Sequence, residues 1–202
     1  MSAYEISKRA VDVACSLMGL VVLSPVMLIT AIRVGRDVGR PVLFRQSRPG
    51  RGGAPFTMYK FRTMRGDGES GIAHDQERIT RLGGRLRASS IDELPSLVNV
   101  LRGEMSLVGP RPLLMAYLPR YTVAQARRHE VRPGITGLAQ VSGRNALDWD
   151  SRLALDVEYV DRRSWPLDLR ILLRTIRTVG RRSGITSEGH AAGAEFLGRR
   201  PE

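Results

Sequence analysis

Apolar residues are spread very unevenly along this chain. From residue 10 to residue 32 it runs AVDVACSLMGLVVLSPVMLITAI, with Asp12 as the sole charge. That exceeds the about 20 residues a membrane span needs. A cleavable signal peptide is one alternative, but its apolar region covers roughly 7 to 15 residues and ends in a small-residue cleavage site, which does not appear before Arg33. A buried core helix is the other. Ser24-Pro25 interrupts the run: proline lacks the helical N–H and pushes its predecessor out of the α region, so two shorter helices are predicted. Residues 10 to 23 would reach only about 20 Å as a helix, short of the hydrocarbon thickness. Lys8 and Arg9 precede the run, and Arg33, Arg36, Arg40 and Arg45 follow it. Both ends therefore prefer the cytoplasmic side, which a re-entrant hairpin satisfies; a proline-kinked spanning helix is the competing topology.

Beyond residue 35 the pattern is that of a small, mainly helical α+β domain without internal repeats. Residues 41 to 46 and 55 to 61 alternate as two strands, and Arg48-Pro-Gly-Arg-Gly-Gly53 between them is turn chemistry, so a β-hairpin is predicted. Residues 65 to 75 are Gly-rich and polar and read as a loop. Helices are predicted over 77 to 87, 95 to 102, 123 to 129, 149 to 163 and 167 to 180. The organisation is then a membrane segment over 1–35, a main domain over 36–185 and a tail over 186–202, forming one functional domain.

Charge sharpens this picture. The 202 residues carry 32 Lys plus Arg against 20 Asp plus Glu, a net +12 supplied mostly by arginine. Guanidinium groups favour bidentate contact with phosphate, so a polyanionic partner is expected: nucleic acid, anionic lipid or a phosphorylated substrate. Aromatic residues make up 5%, thin for stacking on single-stranded bases, and no nucleic-acid-binding motif is present. Cys15 is the single cysteine, which excludes an internal disulfide and fits a small packing residue in an apolar run. His74 and His129 lack metal-ligand spacing.

Candidate chemistry concentrates at Ser90-Ile-Asp-Glu-Leu-Pro-Ser-Leu97. Pro95 belongs in the first turn of a helix, which puts Asp92 and Glu93 at a helix start, where backbone N–H groups and the helix dipole favour carboxylates. The same residues also fit plain capping, with Asp as a cap or Ser90 and Glu93 as a capping box. Arg87 precedes the pair, and a rigid Gly-Pro-Arg-Pro turn presents Arg111 after it. Carboxylates suit Mg²⁺ and guanidinium forks suit a diphosphate, although either arginine could be a solvated surface charge.

In this order the chain contains Lys8-Arg-x-x-Asp12, Ser24-Pro25, Lys60-Phe-Arg-Thr-Met64, Leu86-Arg87, Asp92-Glu-Leu-Pro95, Asn99-Val-Leu-Arg-Gly103, Ser106-Leu-Val-Gly-Pro-Arg-Pro112, Arg132-Pro-Gly-Ile-Thr-Gly-Leu-Ala-Gln140 and Ser142-Gly-Arg-Asn145. The ordered set resembles the monotopic phosphoglycosyl transferases of the bacterial sugar transferase family. That resemblance implies a re-entrant helix broken at Ser24 and Pro25, amphipathic helices at the cytoplasmic face of the bacterial inner membrane, and transfer of a phosphosugar from a UDP-sugar to polyprenyl (undecaprenyl) phosphate with release of UMP. It implies Asp92 as nucleophile, Mg²⁺ held by Asp92 and Glu93, and Lys60, Arg87, Arg111 and Arg144 on phosphate oxygens or the donor.

Towards the C-terminus, Leu169, Leu172, Leu173 and Ile176 fall near one face of the last helix with Arg170, Arg174 and Arg177 elsewhere, which suits an interfacial helix as well as a core-facing one. Glu188-Gly-His-Ala191 and Glu195-Phe-Leu-Gly198 resemble the tail of the subgroup that uses acetamido sugars, with departures at Ala192 and Gly193; His190 is simply a tail residue there. Two rival classes are a basic nucleic-acid-binding protein, which leaves the apolar N-terminus unexplained, and a membrane-anchored assembly protein, which leaves the carboxylate and arginine grouping unexplained.

Overall fold

A computed structural model describes residues 2–66, 78–143, 147–181 and 195–198. Helix α1 (Ala3–Val22) begins with a complete capping box between Ser2 and Glu5. Helix α2 (Ser24–Asp37) follows at a bend of 62°. The break has a local cause. Leu23 donates to the Gly19 carbonyl, the Ser24 hydroxyl closes the last turn on the Val21 carbonyl at 2.7 Å, and Pro25 occupies the first turn of α2, where its missing N–H costs nothing. Neither helix alone is long and apolar enough to cross a membrane, whereas the bent pair together passes on length and composition.

These helices are inverted relative to a water-soluble protein. On α1 the polar Asp12 and Ser16 are 3% and 0% exposed, while Leu17 and Val21 are 55% and 66% exposed. Asp12 accepts from the Leu107 amide at 3.0 Å, and Thr30 and Val34 are the buried positions of α2. Met18, Val22, Leu28 and Ile29 also present more than half their surface. An uncovered apolar sheath of this size marks an interaction surface.

Strands β1 (Leu43–Pro49) and β2 (Pro55–Phe61) form the expected antiparallel hairpin, in register from Leu43 opposite Phe61 to Pro49 opposite Pro55. β1 runs three residues past the predicted end because the turn is confined to residues 50–54, where Gly52 and Gly53 take positive φ. Helix α3 (Arg81–Ala88) is shorter than the predicted 77–87 helix at its start, since Thr80 caps it by accepting from Gly83 at 2.9 Å; residue 77 and most of the 65–75 loop lie outside the described residues. A 3-10 turn (Ile91–Ser96) leads into α4 (Leu97–Arg102). Strand β3 (Ser106–Val108) pairs parallel with β4 (Gly134–Thr136) across a long connection. That connection contains 3-10 turns over Met115–Arg120 and Arg127–Glu130, and α5 (Val123–Ala126), so the predicted 123–129 helix is in fact two short pieces. Helices α6 (Leu138–Ser142), α7 (Trp149–Arg162) and α8 (Trp165–Arg181) complete the described chain.

Among the described residues, four small apolar clusters make the core. Phe56, Met58, Val100 and Met105 lie under the hairpin; Val34, Phe61 and Leu86 join α2 to it; Val108, Tyr159 and Ile171 seat α7 and α8; and Leu113, Tyr117, Leu153 and Phe196 hold the C-terminal segment. On α8 the exposed stripe is Leu169, Leu173 and Ile176, flanked by Trp165, whereas Leu172 packs towards the core beside Ile171. The helix therefore has two apolar faces, which the count of leucines alone does not reveal.

Candidate active site

The predicted capping box at Ser90 and Glu93 does not form. Ser90 adopts φ 56°, a left-handed conformation uncommon for a residue with a Cβ, and its side chain makes no capping bond; only the Glu93 amide reaches the Ser90 carbonyl, at 3.2 Å. Freed from capping, the Glu93 carboxylate turns to the hairpin and the Arg111 turn. Its Oε1 accepts from Lys60 Nζ at 2.6 Å and from Arg111 Nη2 at 2.8 Å. Thus three residues 33 and 18 positions apart, assigned separately from the sequence, meet on a single oxygen.

Two residues to which sequence reasoning gave no role bring them together. Ser96 donates to the Tyr59 carbonyl at 2.7 Å. Asn99, fully buried, accepts from the Tyr59 amide at 3.1 Å and donates to the Thr57 carbonyl at 2.7 Å. These side chains satisfy the outer backbone edge of β2 in place of a third strand, and so lock the turn that carries the carboxylates beside Lys60. The signal was available: Ser96 and Asn99 lie three apart on one helical face, polar in an otherwise apolar segment.

Arg111 is held from behind. Gly109 donates to the Thr136 carbonyl at 2.9 Å, and a Cβ on Gly134 would lie 2.1 Å from the Gly109 nitrogen, so only glycine permits this backbone crossing. The buried Arg128 donates to the Arg111 carbonyl at 2.6 Å and is itself neutralised by Asp156 at 2.6 Å. Arg87, on α3, donates to the Thr63 hydroxyl at 3.0 Å and adds its charge near Asp92. Its helix sits so close to residue 63 that a Cβ on Gly83 would meet the Thr63 carbonyl at 2.0 Å. Arg144 lies outside the described residues, as do His74 and His190.

Asp92 differs from its neighbour. It is 7% exposed, yet its carboxylate accepts no hydrogen bond among the described residues. Burial and the adjacent Glu93 charge push its pKa up to about 6, against the opposing pull of Lys60, Arg87 and Arg111. Burial pushes Glu93 up as well, but the charges and hydrogen bonds of Arg111 and Lys60 outweigh it and hold Glu93 well below the usual carboxylate range. One carboxylate is spent on cations; the other is ionisable, basic and uncommitted. Among the described residues there is no cluster of three or more His, Cys, Asp or Glu side chains able to hold a metal. Asp92 and Glu93 are the two adjacent carboxylates that could hold Mg²⁺, whose remaining coordination phosphate oxygens and water normally complete.

A family model described as Bacterial sugar transferase matches residues 3–182. The chain is 50% identical over 195 residues to the uncharacterized sugar transferase EpsL of Bacillus subtilis, covering 96% of both proteins. It is 44% identical to a UDP-glucose:undecaprenyl-phosphate glucose-1-phosphate transferase of Caulobacter vibrioides, over 86% of this chain and 70% of that protein. It is 40% identical to an undecaprenyl-phosphate galactose phosphotransferase of Salmonella typhimurium, over 88% of this chain and 41% of that larger protein. With the match extending from the first turn of α1 to the end of α8, the chain belongs to the bacterial sugar transferase family.

Proposed function

We propose that this protein moves a phosphosugar from a UDP-sugar to a polyprenyl phosphate, undecaprenyl phosphate in bacteria, and releases UMP. The observation that carries this reading is Asp92: a buried carboxylate without a hydrogen-bond partner among the described residues, flanked by three cations, with its pKa raised to about 6. At neutral pH it is largely ionised yet more basic than an ordinary aspartate, which favours nucleophilic attack.

In the first half-reaction an Asp92 oxygen attacks the phosphorus that bears the sugar. An acyl-phosphate P–O bond forms, the diphosphate P–O bond breaks, and UMP leaves with the electron pair. In the second, an oxygen of the polyprenyl phosphate attacks the same phosphorus; the Asp92–phosphorus bond breaks and the carboxylate is restored. Lys60, Arg87 and Arg111 bind and orient phosphate oxygens, with Arg144 as a further donor-side cation, and Glu93 holds Lys60 and Arg111 in place. Asp92 and Glu93 would hold Mg²⁺, which would supply charge neutralisation on the diphosphate.

The inverted α1–α2 pair supports a re-entrant seating in the inner membrane, with the catalytic domain on the cytoplasmic face. Labelling of cysteines placed at Ser2 and Ser47, in a Cys15→Ser background, is expected from the same side; labelling from opposite faces would replace the hairpin by a span. For the donor, the tail resemblance puts an acetamido sugar first, against the glucose and galactose named for the relatives.

Purified protein given Mg²⁺ and each UDP-sugar of a panel, without lipid, is expected to release up to one equivalent of UMP and gain the mass of a phosphosugar on Asp92. Adding undecaprenyl phosphate discharges that adduct. A donor that supports full turnover but leaves no adduct, with UMP appearing only when lipid is present, would establish direct transfer instead.

A further inference from the structure

A small cleft of about 40 Å³ opens along the first three turns of α1 and shares no lining residue with the Lys60–Glu93–Arg111 cluster. Its cations are Lys8, Arg9, Arg51, Arg132 and Arg163, and its carboxylates are Glu5 and Asp12. Two cations are matched: Lys8 by the buried Asp168 at 2.6 Å, and Arg163 by Glu5 at 3.9 Å. The other three have no ion pair among the described residues. Arg9 donates to the carbonyls of Val100 and Leu101, and Arg132 to that of Gly103 at 2.8 Å, contacts that fix the guanidinium groups without neutralising them. Arg51 is exposed and has no ion pair or hydrogen bond to its side chain among the described residues. Against this trio stand Asp12 and, more weakly on Arg132, the Glu5 carboxylate already set against Arg163. Burial first, and then the charges of Arg9 and Arg51, hold Arg132 below its usual pKa against the pull of Asp12 and Glu5. Ser106 completes the cleft: it is 2% exposed and its hydroxyl is buried without a partner. A hydroxyl and three under-neutralised guanidinium groups around one small space suit a phosphate.

Position selects the source of that phosphate. The opposite face of α1 exposes Ile6, Val13 and Leu17, and Trp165 at the head of the α8 apolar stripe packs edge-on to Tyr4, ring centroids 5.8 Å apart. Tyr4 itself lines the cleft. A Tyr–Trp pair between two apolar helix faces is the side-chain chemistry of the membrane–water boundary, the depth at which lipid phosphates lie. We propose that this cleft binds the phosphate of an anionic phospholipid head group, so that the enzyme is seated by a specific lipid as well as by its apolar helices. The proposal rests on the membrane reading above. The polyprenyl phosphate acceptor is a poorer occupant, because its phosphate has to reach Asp92.

The test uses the full chain in a neutral detergent, titrated with dihexanoyl phosphatidylglycerol, dihexanoyl phosphatidylcholine or inorganic phosphate while the thermal unfolding midpoint is followed. The phosphatidylglycerol is expected to raise the midpoint at concentrations where the other two do not. Arg51→Gln is expected to weaken that effect about fivefold, in line with one surface cation facing an anionic lipid. Arg174→Gln, which removes the same charge from an exposed position on α8, leaves it unchanged. Equal weakening by both variants would reduce the effect to diffuse surface charge and overturn the site. Equal protection by inorganic phosphate would overturn the lipid source. A rise in the half-saturating concentration of undecaprenyl phosphate in Arg51→Gln, with phosphatidylglycerol binding intact, would reassign the cleft to the acceptor. Flotation with phosphatidylcholine vesicles, with and without phosphatidylglycerol, separates the two levels: failure with both overturns the membrane reading and this one together, whereas equal flotation without lipid selectivity in the titration overturns this one alone.

Discussion

Two buried lysine–carboxylate pairs, each 2.6 Å long, occur in this protein, and they do opposite things. At the foot of α1, Lys8 meets Asp168, whose two oxygens also accept from Tyr4 at 2.8 Å and Tyr159 at 2.9 Å. Every group there is matched, and the contacts tie α1, α7 and α8 into one body. At the turn before α4, Lys60 meets Glu93, and Arg111 joins on the same oxygen, but the adjacent Asp92 is left without a hydrogen bond among the described residues. The lesson concerns satisfaction, not charge. A buried carboxylate with all its hydrogen bonds made is a fastener, whereas one held beside cations without partners is ready for a substrate.

The comparison breaks most visibly if the two aspartates are exchanged for asparagine. Asp92→Asn is expected to lower UMP release by at least about a thousandfold, because the amide is not a competent nucleophile, while the protein stays folded. Asp168→Asn is expected to do the reverse: it strands Lys8 in a largely buried site and costs about 3 to 5 kcal/mol in chemical denaturation, with turnover per folded molecule close to unchanged. A stability loss in the first variant, or a catalytic loss at full stability in the second, would erase the distinction.

How much of this was legible beforehand follows the range of the interactions. The Ser24–Pro25 break and the bounds of β2 were readable because proline stereochemistry and two-residue alternation act locally. The parallel pairing of Ser106 with Gly134 was not, since nothing within three-residue strands announces a partner 28 positions away. At the site, Lys60, Glu93 and Arg111 were each identified from the sequence, but their convergence on one oxygen was not. The Ser90–Glu93 capping box failed for the same reason: a local rule lost to long-range partners that bind Glu93 more strongly than a backbone amide does. Ser96 and Asn99 were visible as polar residues without a purpose, because their partners are backbone groups of a distant strand.

Proton linkage sharpens the contrast within the dyad. Asp92 has its folded-state pKa raised from 3.8 to about 6, so the native state holds a proton that the unfolded chain has lost across that interval. Stability therefore falls as pH rises from about 4 to 6, by up to about 3 kcal/mol. Glu93 acts with the opposite sign: its depressed pKa contributes stability above the unfolded value, lost on acidification below about 4. Asp92→Asn is thus expected to raise the thermal midpoint at pH 7 and to lose this advantage below pH 4. Asp92→Asn with an unaltered midpoint at pH 7 would mean that the carboxylate is not strained by its site. The same proton governs activity, so formation of the phosphosugar adduct is expected to fall below pH 6 and level off above it.

The smallest expected effect separates charge from geometry at Arg111. Among the described residues only its Nη2 is engaged by a side chain, at Glu93, which leaves the remaining guanidinium donors for phosphate oxygens. A lysine at this position keeps the positive charge and the pairing with Glu93, and the chemical denaturation midpoint is expected to stay close to wild type. What it loses is the fork. Activity in the UDP-sugar assay is therefore expected to fall somewhat more than tenfold, about 1.4 kcal/mol in the barrier. The partition of that loss is informative, because an arginine that grips ground-state and transition-state phosphate equally raises KM alone, whereas one that strengthens its hold as charge shifts towards UMP lowers kcat. Arg111→Lys with near-wild-type kcat and KM would make Arg111 a second fastener of the Lys8 kind, present to hold Glu93 and nothing more.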